Sequence, residues 1–274
     1  MNVAWWMTAT SDRPSLRGTN DDLRIPANTN VVLSISQPWE IDSYYGTNFF
    51  GGLCTVHYII QDINGNSLAP EGQYQFVIRG RNPLPNTAHN YIQAEPFAVS
   101  TLYYAWGIAK HESAQDKYNA IYCQFNAGGS TMAFPNYGYP NGWGIFQRDD
   151  TGGGIPVTTG QVYSWKVNSD VAVQQELSQK WNSANNYLGN LQNNYSTQFQ
   201  QDPPPSYTTG NGTVFAAVDA LCMEAYNGAG SFSTLLSFYP SNAHGHRWAW
   251  HLPNAPQDTE PYVSRVAERM NTSP

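Results

Sequence analysis

The sequence predicts a mixed α+β protein in which a β-rich N-terminal region, residues 1–81, precedes an α-helical domain, residues 82–274. Two patterns of apolar residues and one feature of composition lead there. Up to about Gly80 the apolar residues come in short β-branched and aromatic runs divided by Gly, Pro and Asn clusters, as strands and turns do. After RGRNPLPNTAHN they recur at steps of three and four, the period of a helix with one dry face. Charged residues make up only 12% of the chain and aromatics 14%, so amides, hydroxyls and glycine must cover most of the surface.

In chain order, NVVLSIS, CTVHYIIQDI and QYQFVIRG read as strands. DINGNS places Asp62, Asn64 and Asn66 at alternate positions, like the start of a calcium loop. The bidentate Glu at the twelfth position is missing and no helices flank it, so Asn64-Gly65 predicts a turn between strands. The stretch YYAWGIAKHESAQDKYN predicts a helix ending near Asn119, with Ala98, Leu102, Ala105 and Ala109 along its buried stripe. The next step of three lands on Glu112. A carboxylate at the end of a dry stripe is paired, at the rim of a cleft, or chemically used. A Gly-, Pro- and Tyr-rich loop follows through GGSTMAFPNYGYPNGWGIFQRDDTGGG. A long helix, capped by Ser169 or Asp170, then carries Val173, Leu177, Trp181, Ala184, Leu188, Leu191 and Tyr195 on one stripe and stops at DPPP, Asp202 to Pro205. Another helix, from Thr213, puts Ala217, Leu221 and Ala225 on one face and closes at AYNGAG, where Gly228 can take a positive φ. PYVSRVAERM makes a last short helix started by Pro261. No internal repeats occur.

Composition excludes several functions. A formal charge of −7 without clustered Lys or Arg argues against a nucleic-acid partner. The three cysteines, Cys54, Cys123 and Cys222, have neither CxxC nor metal-ligand spacing and cannot all pair within one chain, so no disulfide framework and no role is assigned to them. No apolar run is long enough to cross a membrane, and MNVAWWMTATSDRP lacks the basic region and long apolar core of a secretory signal. The abrupt start also allows that the chain is a piece of a longer protein with Met1 added by cloning. HGHRWAWH presents His244, His246 and His251; an irregular aromatic loop is a plainer reading than a metal site, so neither metal nor cofactor is expected. The amide- and ring-rich surface suits sugars, whose apolar faces stack on rings while their hydroxyls meet amides, although extracellular proteins that bind no sugar share this composition.

Four short motifs occur in order: Glu112-Ser113 in KHESA, Gly144 to Gln147 in GWGIFQ, Ala225 to Asn227 in EAYNGAG, and Tyr262 in PYVSRV. Together they resemble the lysozyme-like superfamily of goose-type lysozymes and soluble lytic transglycosylases, whose signature is Glu-Ser, Gly-Leu-Met-Gln, Ala-Tyr-Asn and a C-terminal Tyr. The resemblance covers roughly residues 82–270 and leaves the β-rich region unexplained. It implies that the helical domain is lysozyme-like and that Glu112 is the general acid protonating the bond between N-acetylmuramic acid and N-acetylglucosamine in peptidoglycan. It also implies that Tyr226 and Tyr262 hold Glu112 or the sugar, that Gln147 and Asn227 line the cleft, and that Ser113 supports the acid. Physical chemistry agrees on Glu112, because burial raises a carboxyl pKa. His111 is a poor base, since neighbouring helical residues point about 100° apart.

Goose-type lysozymes carry an Asp two residues after the loop Gln. Here that position is Asp149, with Asp150 beside it, although DD before TGGG is also a good turn sequence. Ile145-Phe146 replaces the usual Leu-Met. Hydrolysis with Asp149 activating water is the reading taken. Lytic transglycosylation, which uses the muramic acid's own hydroxyl and a single carboxylate, is the alternative. A non-catalytic glycan-binding or structural module and a chitin-cleaving enzyme are further readings. Resemblance to wall-degrading toxins implies an antibacterial effector or phage lysin exported to the periplasm or cell wall of a target cell. Its partners would be peptidoglycan glycan strands, a secretion carrier and an immunity protein.

Overall fold

The computed structural model describes residues 2–10, 21–23, 52–78, 82–114, 121–126, 135–138, 142–149, 155–241, 247–254 and 260–273. The chain is mixed α+β, as the sequence predicts. Its contacts group it into two compact units, Met1–Leu84 with Ser113–Asn168, and Pro85–Glu112 with Ser169–Pro274. The sequence assigns all of 82–274 to one helical domain, whereas 113–168 group here with the N-terminal sheet.

The first unit contains a four-stranded antiparallel sheet in the order β2-β1-β3-β4, formed by β1 (Asn2–Thr10), β2 (Asp21–Leu23), β3 (Gly52–Gln61) and β4 (Gly72–Ile78). The last two are the expected strands CTVHYIIQDI and QYQFVIRG; NVVLSIS lies outside the described residues. Strand β1 is an addition. It pairs with β3 from Asn2↔Gln61 to Thr10↔Leu53, and its VAWW run has the aromatic and β-branched content of a strand. DINGNS is a turn, with Gly65 at φ 85°. Asp62 Oδ1 accepts from the amides of Asn64 and Asn66 at 2.8 Å each, and Asn66 Nδ2 donates to Oδ2 at 2.9 Å. These bonds, the Asn66 side chain's first, hold Asp62 below the usual carboxylate range.

The second unit is helical. It opens with α1 (Pro85–Ala94), α2 (Pro96–Ser100) and α3 (Ala105–Glu112). Ala98, Leu102, Ala105 and Ala109 are all buried, as their spacing predicts, yet they do not share one helix. The helix breaks across Thr101–Tyr104, where β-branched and aromatic residues lose rotamer freedom in a helix and where Leu102 and Tyr104 turn fully into the core. It resumes at Ala105 and ends at Glu112 rather than running on toward Asn119.

The long helix also differs from expectation. It starts at α4 (Trp165–Val171), where the Ser164 hydroxyl accepts from the Val167 amide at 3.3 Å, so Ser164 is the cap and Ser169 and Asp170 are helical. Asp170 instead accepts from the Tyr91 hydroxyl at 2.8 Å. A π-helical turn, Ala172–Leu177, follows before α5 (Ser178–Asn194) and α6 (Ser196–Gln201), with Asp202 as the C-cap of α6 before the prolines. The Ser178 hydroxyl donates toward the carbonyls of Gln174 and Gln175, which the wide turn releases from α-helical register. Ala184, Leu188 and Leu191 of α5 pack with Ala217 and Leu221 of α7 (Ala217–Tyr226). Helix α7 begins later than expected, because Tyr207–Thr208 and Val214–Phe215 form a hairpin just before it. It closes at Gly228, φ 80°. Helix α8 (Tyr262–Met270) follows Pro261 as foreseen.

Gly107 in α3 explains how α3 and α8 approach. A glycine inside a helix costs about 1 kcal/mol against alanine, but a Cβ there would lie 2.6 Å from Met270 Cγ and 3.2 Å from Val266 Cγ1. Gly107→Ala should therefore lower stability by roughly 1–3 kcal/mol through overpacking, and Met270→Ala in the same chain should recover part of it. Thermal denaturation checks both; a single variant as stable as the unsubstituted chain would mean that the helices can move apart freely.

Candidate active site

Glu112 is the last helical residue of α3 and Tyr262 the first of α8. The Tyr262 hydroxyl donates to Glu112 Oε1. Tyr262 is 1% exposed, and the edge of the His111 ring meets its ring with centroids 5.2 Å apart. Glu112 as a whole residue is partly exposed, while its carboxyl group is enclosed. Burial pushes that carboxyl up, the hydrogen bond from Tyr262 pulls it down, and the negative charge of Glu176 adds a smaller push upward; the outcome is a pKa of about 7. Near neutrality the group therefore divides between acid and carboxylate, the condition a general acid needs. Tyr262 is raised well above the ordinary phenol value, first by burial and then by Glu112, Tyr226 and Glu224.

Sequence reasoning missed two of these acids. Glu176 lies in the π-helical turn, a geometry that periodicity does not reveal. Glu224 lies in α7 two residues before Tyr226, is 0% exposed, and accepts the Val263 amide through Oε1 at 3.0 Å. Burial raises its carboxyl to about 7 as well, against the lowering effect of the Val263 and Tyr262 amides. A sequence signal existed, since Glu224 falls on the same helical face as Leu221 and Ala217, three and seven residues earlier.

Tyr226, half-buried, ends α7, and Asn227 follows as its exposed C-cap, whose amide donates to Met223 O at 3.3 Å. Glu112, Tyr226 and Tyr262 thus come together in the helical unit. Cys222 is buried there and donates toward Leu177 O, with burial pushing its thiol to about 12.

Ser113, Gln147 and Asp149 belong to the first unit. Ser113 is fully buried. The GIFQ segment is the tip of a hairpin between Gly142–Trp143 and Arg148–Asp149, with Gly144 at φ 75° and Gln147 at φ 47°. A left-handed conformation in a non-glycine residue costs about 1–2 kcal/mol and persists only where surroundings over-determine it. Here they do. Gln124 Oε1 accepts the Ile145 amide at 2.9 Å, while its Nε2 donates to the carbonyls of Gln161 and Val162. Asn168 accepts the Phe146 amide at 3.1 Å and donates to the carbonyls of Trp143 and Gln161. A Cβ on Gly144 would sit 2.5 Å from Gln124 Nε2 and 2.7 Å from Asn168 Nδ2, so only glycine fits between these amides. Ile145 and Phe146 are fully buried, leaving Gln147 half-exposed with its Nε2 donating to Gly144 O at 2.8 Å. Asp149 is half-buried on the strand that follows. Cys123 is buried in the same unit and pushed up to about 11.

Comparison of the chain with family models, curated proteins and solved structures returned no match. What the site can do follows from its own geometry: a half-protonated carboxyl held by a buried phenol can donate a proton to an oxygen leaving group. Among the described residues, no group of three or more His, Cys, Asp or Glu could hold a metal ion, and no helix is long and apolar enough to cross a membrane. His251 is exposed, while His244, His246 and Asp150 lie outside the described residues, as does the side chain of Cys54.

The raised carboxyls have a consequence for stability. Glu112 and Glu224 titrate near 4.5 when unfolded and near 7 when folded, so between those values the folded state binds more protons. Their contribution is full below about pH 4.5 and is lost as pH rises through about 7. Thermal midpoints measured across this window should fall less steeply for Glu112→Gln and for Glu224→Gln than for the unsubstituted chain; equal slopes would contradict the raised values.

Proposed function

We propose that the chain is a peptidoglycan glycosidase, a muramidase of the lysozyme-like kind, with Glu112 as its general acid. The observation that carries this reading is the Glu112 carboxyl itself, buried, bonded to Tyr262 and poised at about 7. The order of the four motifs adds to it, as does the strained and supported conformation of Gln147.

In the proposed reaction Glu112 gives its proton to the oxygen of the β-1,4 bond between N-acetylmuramic acid and N-acetylglucosamine as the bond from the muramic C1 breaks. Tyr262, keeping its bond to Glu112, steadies the carboxylate left behind. Water adds to C1, and Asp149 takes its proton; this role rests on the place of Asp149 two residues after Gln147 in the sequence. Gln147, Tyr226 and Asn227 are proposed to bind sugar, with Ser113 supporting the acid. Residues 82–274 would form the lysozyme-like catalytic part, with the four-stranded sheet as an accessory. Export to the periplasm or wall of a target cell, a secretion carrier and an immunity protein complete the proposal.

Purified peptidoglycan digested with the chain and analysed by mass spectrometry should show reducing-end muramic acid. Glu112→Gln should fold and lose about a hundredfold or more in activity, the scale of a lost general acid. Products ending in 1,6-anhydromuramic acid would make the chain a lytic transglycosylase and release Asp149 from its role. A folded Glu112→Gln chain that clears walls as well as the unsubstituted one would sink the assignment, and binding without cleavage would point to a non-catalytic glycan-binding module.

A further inference from the structure

Helix α8 begins without a cap of its own. Its N-cap is Pro261, which offers no side-chain acceptor, so the first amides of the helix need partners from elsewhere. Glu224 reaches across from α7 and accepts the Val263 amide at 3.0 Å, a carboxyl at a helix N-terminus where the backbone dipole favours negative charge. The residue next to Val263 is Tyr262, whose hydroxyl is the donor to Glu112. Packing alone gives no reason for an acid here. Glu224 is 0% exposed, its Oε2 has no hydrogen-bond partner among the described residues, and an apolar side chain would fill the space without the cost of burying a carboxyl.

We infer that Glu224 is a positioning residue for Glu112: by capping the first turn of α8 it fixes the Tyr262 backbone, and so the phenol, at the distance where Tyr262 donates to Glu112. The inference rests on the reading of Glu112 as the acid for its functional meaning, but not for its geometry. Other titratable groups around the trio are Glu176 of the π-helical turn, Tyr226 at the end of α7, and His111 against the Tyr262 ring.

The sign of the effect separates this role from a plain charge effect. Removing a nearby negative charge would lower the Glu112 pKa, whereas losing the Tyr262 bond would raise it. The Glu112 carboxyl should therefore be titrated by carbon NMR in the whole chain and in Tyr262→Phe, Glu224→Met, Glu224→Gln and the double variant Glu224→Met/Tyr262→Phe. Tyr262→Phe should raise the Glu112 value by about one unit, the scale of one hydrogen bond to a charged group. Glu224→Met should raise it similarly, and the double variant no further than Tyr262→Phe. Glu224→Gln, whose amide oxygen accepts more weakly than a carboxylate, should give a smaller rise and serves if the Met variant does not fold. A Glu112 value unchanged or lowered in a folded Glu224→Gln or Glu224→Met chain overturns the inference, and so does a rise in the double variant that adds to that of Tyr262→Phe. This readout needs no substrate. Failure of the unsubstituted chain to digest peptidoglycan would count against the glycosidase reading alone, and an unmoved Glu112 against the positioning role alone.

Discussion

A carboxyl taken out of water must either give up its charge or be met by donors, and the helical unit is arranged around one compromise between the two. Among the described residues Glu112 receives one hydrogen bond, from a phenol, enough to keep its anion accessible near neutrality but too little to restore the ordinary carboxylate range. That contact demands a particular arrangement of two helices. Glu112 ends α3 where Tyr262 starts α8, and Gly107 of α3 meets Val266 and Met270 further along α8, so the helices run antiparallel at close range. Lys110 strengthens the pairing: its ammonium donates to the carbonyls of Thr272 and Ser273 and to the Thr272 hydroxyl, tying α3 to the residues after α8.

Among the described residues, several buried polar groups are satisfied by side-chain amides and hydroxyls. Around the GIFQ hairpin, Gln124 and Asn168 each both donate and accept, which a carboxylate or ammonium could not do. A connected network of this kind specifies one backbone conformation, because every alternative leaves a buried group without a partner. In the helical unit Asp219 shows the same economy of charge: it is buried, raised by burial, and bonded to Trp181 Nε1 and the Tyr103 hydroxyl rather than to a cation.

Several misplacements in the sequence reading share a cause. The stripe from Ala98 to Ala109 is periodic and buried throughout, yet the helix breaks between Ser100 and Ala105, where the fully buried Leu102 and Tyr104 lie. The cap of α4 is Ser164 and not Ser169 or Asp170, because all three are plausible capping types and only the Val167 amide decides between them. Strand β1 carried a strand-like run, but it became legible only through its pairing with β3, nearly fifty residues on. In each case local signals allowed more than one outcome and long-range packing selected among them.

Taken alone, the sequence determined the mixed α+β class, the strand runs CTVHYIIQDI and QYQFVIRG to within two residues at each end, the turn at Asn64-Gly65, the closure of α7 at Gly228 and the start of α8 at Pro261. It also singled out Glu112 as an acid on a dry stripe. These are properties of period, turn chemistry and capping, which act over a few residues. Tertiary structure alone decided that Glu112 titrates near 7, that Tyr262 is its partner across 150 positions of chain, and that Glu176 and Glu224 are the neighbouring acids. The reason is physical: the state of a buried carboxyl depends on how much water is removed and which donors replace it, and neither quantity exists until distant segments pack together.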